Sequence, residues 1–262
     1  MDLNTLQLLL AGLPLGQIAY FDVIDSTNEY ALQWAKAGAK HLSLVVADEQ
    51  TAGRGRSGRT WFTPPGAALA FSLMLKPEDL TSDQITRITA LGALAVCQVL
   101  QNDYGLKSEI KWPNDVLVKG HKLAGVLVEA DWHGDELQTV VQGIGINVAR
   151  DSVPPGSELH FPATSMEEVL GKPLDRWNLL KEVLEAILGW LPSLDQIEFL
   201  ESWEENLAFQ DEWVRLVNEG SEPVEGRLKG LENDGSLRLE LPDGNTKLFQ
   251  VGDVHLRVVD RK

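Results

Sequence analysis

The chain has 262 residues, with 39 acidic against 23 basic side chains and a formal charge of −16. That length holds one large core plus a small one, and 44% hydrophobic with 24% charged residues excludes a disordered or fibrous chain. The acid excess argues against a nucleic-acid grip, a lone Cys97 excludes an internal disulfide framework, and no apolar run reaches membrane-spanning length. A soluble cytoplasmic protein is therefore expected, without DNA or membrane as a partner.

The N-terminal MDLNTLQLLLAGLPLG lacks a basic n-region and reads as a docking segment rather than a signal peptide. Residues 18 to 24 (IAYFDVI) read as a strand. Ser26, followed three residues later by Glu29, has the form of a capping box that opens a helix, and Gly38 suits its far end. Leu42 to Ala47 and Ala67 to Leu75 read as strands on either side of a loop rich in arginine and glycine. Ser82 to Tyr104 carries the apolar stripe Ile85, Ile88, Leu91, Ala95 and Val99 of a long helix, on which Cys97 reads as a packed thiol. Strands are expected at Ile110 to Val118, Leu123 to Ala130 and Gln138 to Val148, paired antiparallel across tight turns. Residues 176 to 209 return to helix. From Trp213, short β-runs alternate with Asn233-Asp234-Gly235 and Pro242-Asp243-Gly244 turns and close with Val254 to Val259. About five short strands there suggest a small SH3-like barrel and place a boundary near Gln210.

Four stretches bear chemistry. The loop Thr51 to Gly66, TAGRGRSGRTWFTPPG, contains Gly53-x-Gly55-x-x-Gly58, but Thr63-Pro64-Pro65 prevents the helix that a dinucleotide fingerprint needs. No acidic residue occurs from Gln50 to Pro77, so three arginines sit among glycines whose amides can turn toward an anion. The alternative is a surface loop whose arginines pair with the protein's own acids. In Lys111-Trp112-Pro113-Asn114-Asp115, the proline marks an edge or bulge, and Asp115 either holds Mg²⁺ through oxygen or makes an Asx turn. Lys122 opens KLAGVLVE at a sheet end, where a solvated lysine is the usual case. In Gly143-Ile144-Gly145-Ile146-Asn147, glycines inside a strand mark close approach of another group, and Asn147 either reads an adenine edge or is structural. The five histidines are scattered without metal-ligand spacing.

Together GRGRSGRTW, KWPND, KLAGVLVE and GIGIN, in that order, resemble the biotin–protein ligases over nearly the whole chain. The resemblance implies an α+β fold: a mixed, largely antiparallel sheet flanked by helices, like class II aminoacyl-tRNA synthetases and lipoate ligases. That catalytic domain would span residues 1 to 209, with the small barrel at 210 to 262. It implies activation of biotin by ATP with Mg²⁺ to biotinyl-5′-AMP, then transfer to a lysine of a biotin carboxyl carrier protein, a subunit of acetyl-CoA carboxylase. By matching positions, Ser26, Thr27, Asn28, Gln50, Gly53, Arg54, Gly55, Arg56 and Lys122 would form the biotin pocket. Arg59, Trp61, Lys111, Asn114 and Asn147 would hold ATP or the adenylate. Lys122, Arg54 and Asp115 would be catalytic, with Asp115 also the candidate Mg²⁺ ligand. Repressor-type relatives carry an N-terminal helix-turn-helix domain, whereas about 17 residues precede the first strand here, so a monofunctional ligase, monomeric or homodimeric, is expected. A glycine-rich loop should also be mobile until it gains a partner.

Overall fold

A computed structural model describes residues 1–76, 84–155, 161–218, 222–250 and 254–258. Ser82 and Asp83 of the expected helix, Val259 of the last expected strand, and His160 lie outside these residues. The N-terminal segment forms α1 (Leu3–Leu9), capped by the Asp2 carboxylate and anchored by the buried Leu6. The larger sheet places seven strands side by side. Their spatial order is β1 (Ile18–Ile24), β2 (Leu44–Gln50), β3 (Ala68–Leu75), β7 (Glu136–Asn147), β6 (His121–His133), β5 (Asp115–Val118) and β4 (Ser108–Lys111). The β1–β2 pair is parallel and its crossover is α2 (Thr27–Lys36); the other neighbours pair antiparallel.

Alternation along the strands separates two faces. On β3, Leu69, Phe71, Leu73 and Leu75 join a large core with α3 (Ile85–Asn102), while Met74 packs with Ala31, Val45 and Val141 on the α2 side. On β7, Ile144 and Ile146 belong to the α3 side, so Gly143 and Gly145 fall on the α2 side with Val141. Ala124 and Val126 likewise leave Gly125, Leu127 and Glu129 of β6 on that second face. A leucine such as Leu91, fully buried on α3, would cost roughly 2–5 kcal/mol to truncate. α5 (Arg176–Trp190) and α6 (Ile197–Glu205) pack against α3, and α4 (Met166–Leu170) packs against the Arg150–Ser152 turn. Cys97 is packed on α3, its thiol pushed up to about 12 by burial and 3.1 Å from Ser108 Oγ.

One expected strand is corrected. Ile110 to Val118 is a hairpin of β4 and β5, with Lys111 opposite Asp115 and a cis Trp112–Pro113 peptide in the turn. Proline lacks the N–H a continuous strand would donate, and here the chain reverses instead of bulging. Half of the expected capping box forms as well. Ser26 Oγ accepts from the Glu29 amide at 3.5 Å, but the Glu29 carboxylate turns outward to Gln33 and Arg54.

The second sheet contains β8 (Trp213–Asn218), β9 (Val224–Leu231), β10 (Leu237–Glu240), β11 (Thr246–Phe249) and β12 (Val254–Val258). β8 to β11 form an antiparallel meander, and β12 returns to pair with β8 on the far edge. The five strands expected for the small barrel are thus present; among the described residues no β11–β12 pairing closes them into a ring. Gly235 and Gly244 complete the two predicted turns in left-handed geometry, at φ +81° and +83°.

Candidate active site

A cleft opens on the α2 face of the large sheet, lined by residues of α2, the arginine-glycine loop, the β4–β5 hairpin, β6 and β7. Of the residues expected at the site, all but Gly53 and Asn147 line this one cleft.

One corner is neutral and tightly hydrogen-bonded. Ser26 ends the β1–α2 connection, and the N-terminus of α2 brings Thr27 and Asn28 over the sheet. Gln50 Oε1 accepts from the Thr27 amide at 2.8 Å and lies 3.1 Å from its hydroxyl, while Gln50 Nε2 donates to Thr63 Oγ1 at 3.0 Å. Asn28 Nδ2 donates to the Leu127 carbonyl at 3.2 Å and to Glu129 Oε2 at 2.9 Å; its Oδ1 lies 2.6 Å from Ser72 Oγ. The Asn28 amide lies against Gly143, where a Cβ would come within 2.1 Å of Oδ1. The strand glycine is required by that approach, which answers the question its position raised.

The arginine-glycine loop is a hairpin over the cleft. The Gly55 amide donates to the Arg59 carbonyl at 2.7 Å, the Trp61 amide to Gly53 at 2.9 Å, and a 3₁₀ turn at Arg56–Gly58 reverses the chain. A Cβ on Gly53 would stand 2.3 Å from the Trp61 carbonyl, so this glycine serves the hairpin rather than the cleft. Arg54 reaches Glu29 at 2.5 Å and also Glu129, the pairing with the protein's own acids that the sequence left open. Arg56 instead points inward and donates to Asn114 Oδ1 at 3.0 Å. Trp61 lies across Gly125 and Gly145; a Cβ on Gly145 would meet its Cε2 and Nε1 at 2.3 Å. Its buried Nε1 has no hydrogen-bond partner among the described residues. A buried indole N–H without an acceptor is uncommon and costly.

The opposite corner is cationic. Lys122 Nζ lies 2.6 Å from Asp115 Oδ1 and 5.3 Å from the Trp61 ring centre; Lys111 Nζ lies 3.7 Å from Asp115 Oδ2 and 4.2 Å from the Phe161 ring centre. Burial alone would raise the Asp115 carboxyl, but the charges of Lys122, Lys111 and Arg56 outweigh it and hold the group below its ordinary value. Lys122 is thus no free surface lysine, although it opens a sheet-end strand. Asn114 Nδ2 donates to the Val126 carbonyl at 2.8 Å, which fixes the turn against β6.

Asp115 does not fit a resident Mg²⁺. Two ammonium groups face its carboxylate, and no group of three or more His, Cys, Asp or Glu side chains among the described residues could hold an ion. A metal used with ATP would enter on the nucleotide's phosphates. Asn147 keeps its structural alternative: it is buried and its amide donates to the Thr164 carbonyl at 3.0 Å. Sequence reasoning missed Ser72, Glu129, Thr63 and Phe161. Ser72 did carry a signal, as the single hydroxyl in the apolar run AALAFSLML, and so did Glu129, the acid that ends KLAGVLVE.

Residues 20–147 match the model of the biotin/lipoate A/B protein ligase family, and residues 212–257 match that of the biotin protein ligase C-terminal domain. The chain is similar to the bifunctional ligase/repressor BirA of Bacillus spizizenii, 40% identical over 91% of this chain and 74% of that protein. It is also similar to the biotin–[acetyl-CoA-carboxylase] ligase of Paracoccus denitrificans, 34% identical over 84% of this chain and 92% of that one. Among solved structures, the biotin protein ligase of Aquifex aeolicus in complex with biotin and ATP superposes with a TM-score of 0.80. It is 29% identical, over 93% of this chain and 99% of that one. Two relatives above 30% identity aligned along most of their own length, with both family models matched in order, leave one assignment: the chain belongs to the biotin–protein ligase family.

Proposed function

We propose that this chain is an ATP-dependent biotin–protein ligase. The observation that carries the reading is the polarity of the cleft. A neutral corner built on Thr27, Asn28, Gln50 and Ser72 stands opposite a cationic one built on Lys111, Lys122 and Arg56. Trp61 lies between them. Biotin has the matching polarity, an uncharged ureido ring at one end and a carboxylate at the other.

In the first step a biotin carboxylate oxygen attacks the α-phosphorus of ATP. A P–O bond to the acyl group forms, the bond to the β-phosphate oxygen breaks, and pyrophosphate leaves. Each close pair of like charges costs about 4 kcal/mol at the effective dielectric of a protein surface, so fixed cations reduce the barrier. Lys122 is the ammonium placed to meet the carboxylate and α-phosphate oxygens. Arg56 and Lys111 supply further positive charge, and Arg59 and Trp61 cover the adenylate from the loop. Arg54 would exchange Glu29 and Glu129 for phosphate oxygens. In the second step the ε-amine of a carrier-protein lysine attacks the acyl carbon and AMP leaves. A carboxyl kept as acidic as Asp115 is a poor proton acceptor. Its role in this reading is to hold Lys122 and Lys111 in place. The acceptor is a biotin carboxyl carrier domain, in keeping with the acetyl-CoA carboxylase in the name of the Paracoccus relative.

Exchange of labelled pyrophosphate into ATP tests the reading. Biotin should support exchange at least a hundredfold better than lipoate, whose apolar chain offers nothing to Asn28 and Gln50. Exchange with lipoate alone would replace biotin as the substrate. The loop has its own test. Trypsin cleavage after Arg54, Arg56 and Arg59 should slow several-fold with biotin and ATP, because ligand closes the hairpin onto the cleft. Equal rates with and without ligand would remove the loop from binding.

A further inference from the structure

Among the described residues, the β9–β10 turn of the second sheet reaches Trp112, which lines the cleft. The β9–β10 turn Asn233–Asp234–Gly235 is closed by the Gly235 amide donating to the Glu232 carbonyl at 2.8 Å and by the Glu232–Ser236 bond at 2.9 Å. Its outward carbonyls are both taken by the large-sheet half of the molecule. Trp112 Nε1 donates to the Gly235 carbonyl at 3.1 Å, in a buried setting. Arg87 of α3 donates to the Asn233 carbonyl at 2.6 Å, and its other amino group holds the Leu194 carbonyl. Gly235 is packed so tightly that a Cβ would stand 2.7 Å from Trp203, at a φ of +81° that a side chain rarely adopts. Trp112 itself is 2% exposed and begins the cis-proline turn between Lys111 and Asp115.

We propose that Trp112 is a positioning residue through which the β9–β10 turn, braced by Arg87, fixes the Lys111–Asp115 turn in the cleft. The inference rests on the reading above of Lys111 as a phosphate-end cation and of Asp115 as the group that holds it in place. Pro113 removes an amide from this turn, so few backbone bonds anchor it. The Asn114 carbonyl and side chain bond Val126 on one flank, and Trp112 supplies the other flank from a separate sheet. Without the indole N–H, the Gly235 carbonyl loses a buried partner and the turn loses the side-chain bond that ties it to β9–β10. Ring packing would remain in a phenylalanine.

Trp112→Phe in the full chain is the test, with Arg87→Gln as the second variant. Trp112→Phe should raise the KM for ATP or lower kcat in pyrophosphate exchange by about tenfold, with the KM for biotin within twofold. Arg87→Gln should act in the same direction, and the double variant should lose less than the product of the two. Hydrogen exchange of the amides from Asn114 to Val116 should quicken about tenfold in Trp112→Phe, while β3 and β7 amides keep their rates. That measurement needs no turnover, so it tests the link even where a parent inactive with biotin and ATP sinks the functional reading. Unchanged exchange at Asn114–Val116, or an equal change across the whole sheet, overturns the proposal. So does an active parent matched within twofold by Trp112→Phe in all three constants.

Discussion

Lys122→Met is expected to lower biotin-dependent pyrophosphate exchange about a thousandfold, near 4 kcal/mol of transition-state stabilisation, the upper range for loss of one preorganised donor. Lys122 stands where β6 begins, held by a backbone bond from its amide to the Pro162 carbonyl at 2.7 Å and by Asp115 at its tip. Its side chain is 24% exposed, so the ammonium is partly stripped of water yet open to the cleft. A charge in that state gains more from a developing phosphate than a solvated one does. Lys122→Arg keeps the charge but changes its shape, and should retain a fraction of the activity. Methionine at 122 with exchange within tenfold of the parent would remove Lys122 from the chemistry.

The same substitution has a pH signature. The Asp115 carboxyl is depressed below 3.8 in the folded chain, with burial opposing and Lys122 the first of the favourable charges. A depressed carboxyl stabilises the fold above its unfolded value. This contribution is full above about pH 5 and is lost as the pH falls through 3.8 toward the folded value. Lys122→Met removes the largest countercharge, so the folded carboxyl rises toward its unfolded value or past it and the acid-linked loss shrinks. Thermal unfolding followed from pH 7 to pH 3 should show the variant losing less stability than the parent as the pH falls. Parallel curves for the two proteins would mean that Lys122 does not set the ionisation of Asp115.

How much of this was legible in the sequence depends on how far apart the partners lie. Local chemistry was readable: the Ser26 cap three residues from its amide, the turn glycines at 235 and 244, the alternation that sends Gly143 and Gly145 to one face. The four chemistry-bearing stretches also converge on one cleft, as their resemblance to a single family implied. What stayed hidden depends on long-range register. Asn28 meets Glu129 across 101 residues and Arg54 meets it across 75, and no local pattern reports either contact. Lys111-Trp112-Pro113-Asn114-Asp115 misled because a proline between two apolar β-runs fits a bulged strand as well as a turn. The choice was made by the opposing β6 strand and by the Gly235 carbonyl, neither visible from within the stretch. Asn147 was ambiguous for the same reason, since its partner Thr164 arrives from a later segment.

Gly143→Ala should weaken biotin binding about a hundredfold, near 2.7 kcal/mol, while the protein stays folded. The added methyl group would stand 2.1 Å from Asn28 Oδ1 and 2.8 Å from its Cγ. The amide cannot remain there, and moving it breaks the bonds to Leu127, Glu129 and Ser72 together. Each such bond is worth about 1 kcal/mol, more where a buried partner is left unsatisfied. Gly145→Ala is the control two residues along the same face. Its methyl group would strike Trp61 at 2.3 Å and leave Asn28 alone. Biotin affinity should then stay within a few-fold, with the loss appearing in the KM for ATP. Calorimetric titration with biotin separates the two variants, and thermal unfolding excludes a global effect. The decisive comparison is Gly143→Ala on an Asn28→Ala background. With the displaced side chain already gone, the methyl group has little to strike, so the second substitution should add less than threefold. An undiminished further loss would locate the damage in the strand itself, and the Asn28 amide would not be what Gly143 protects.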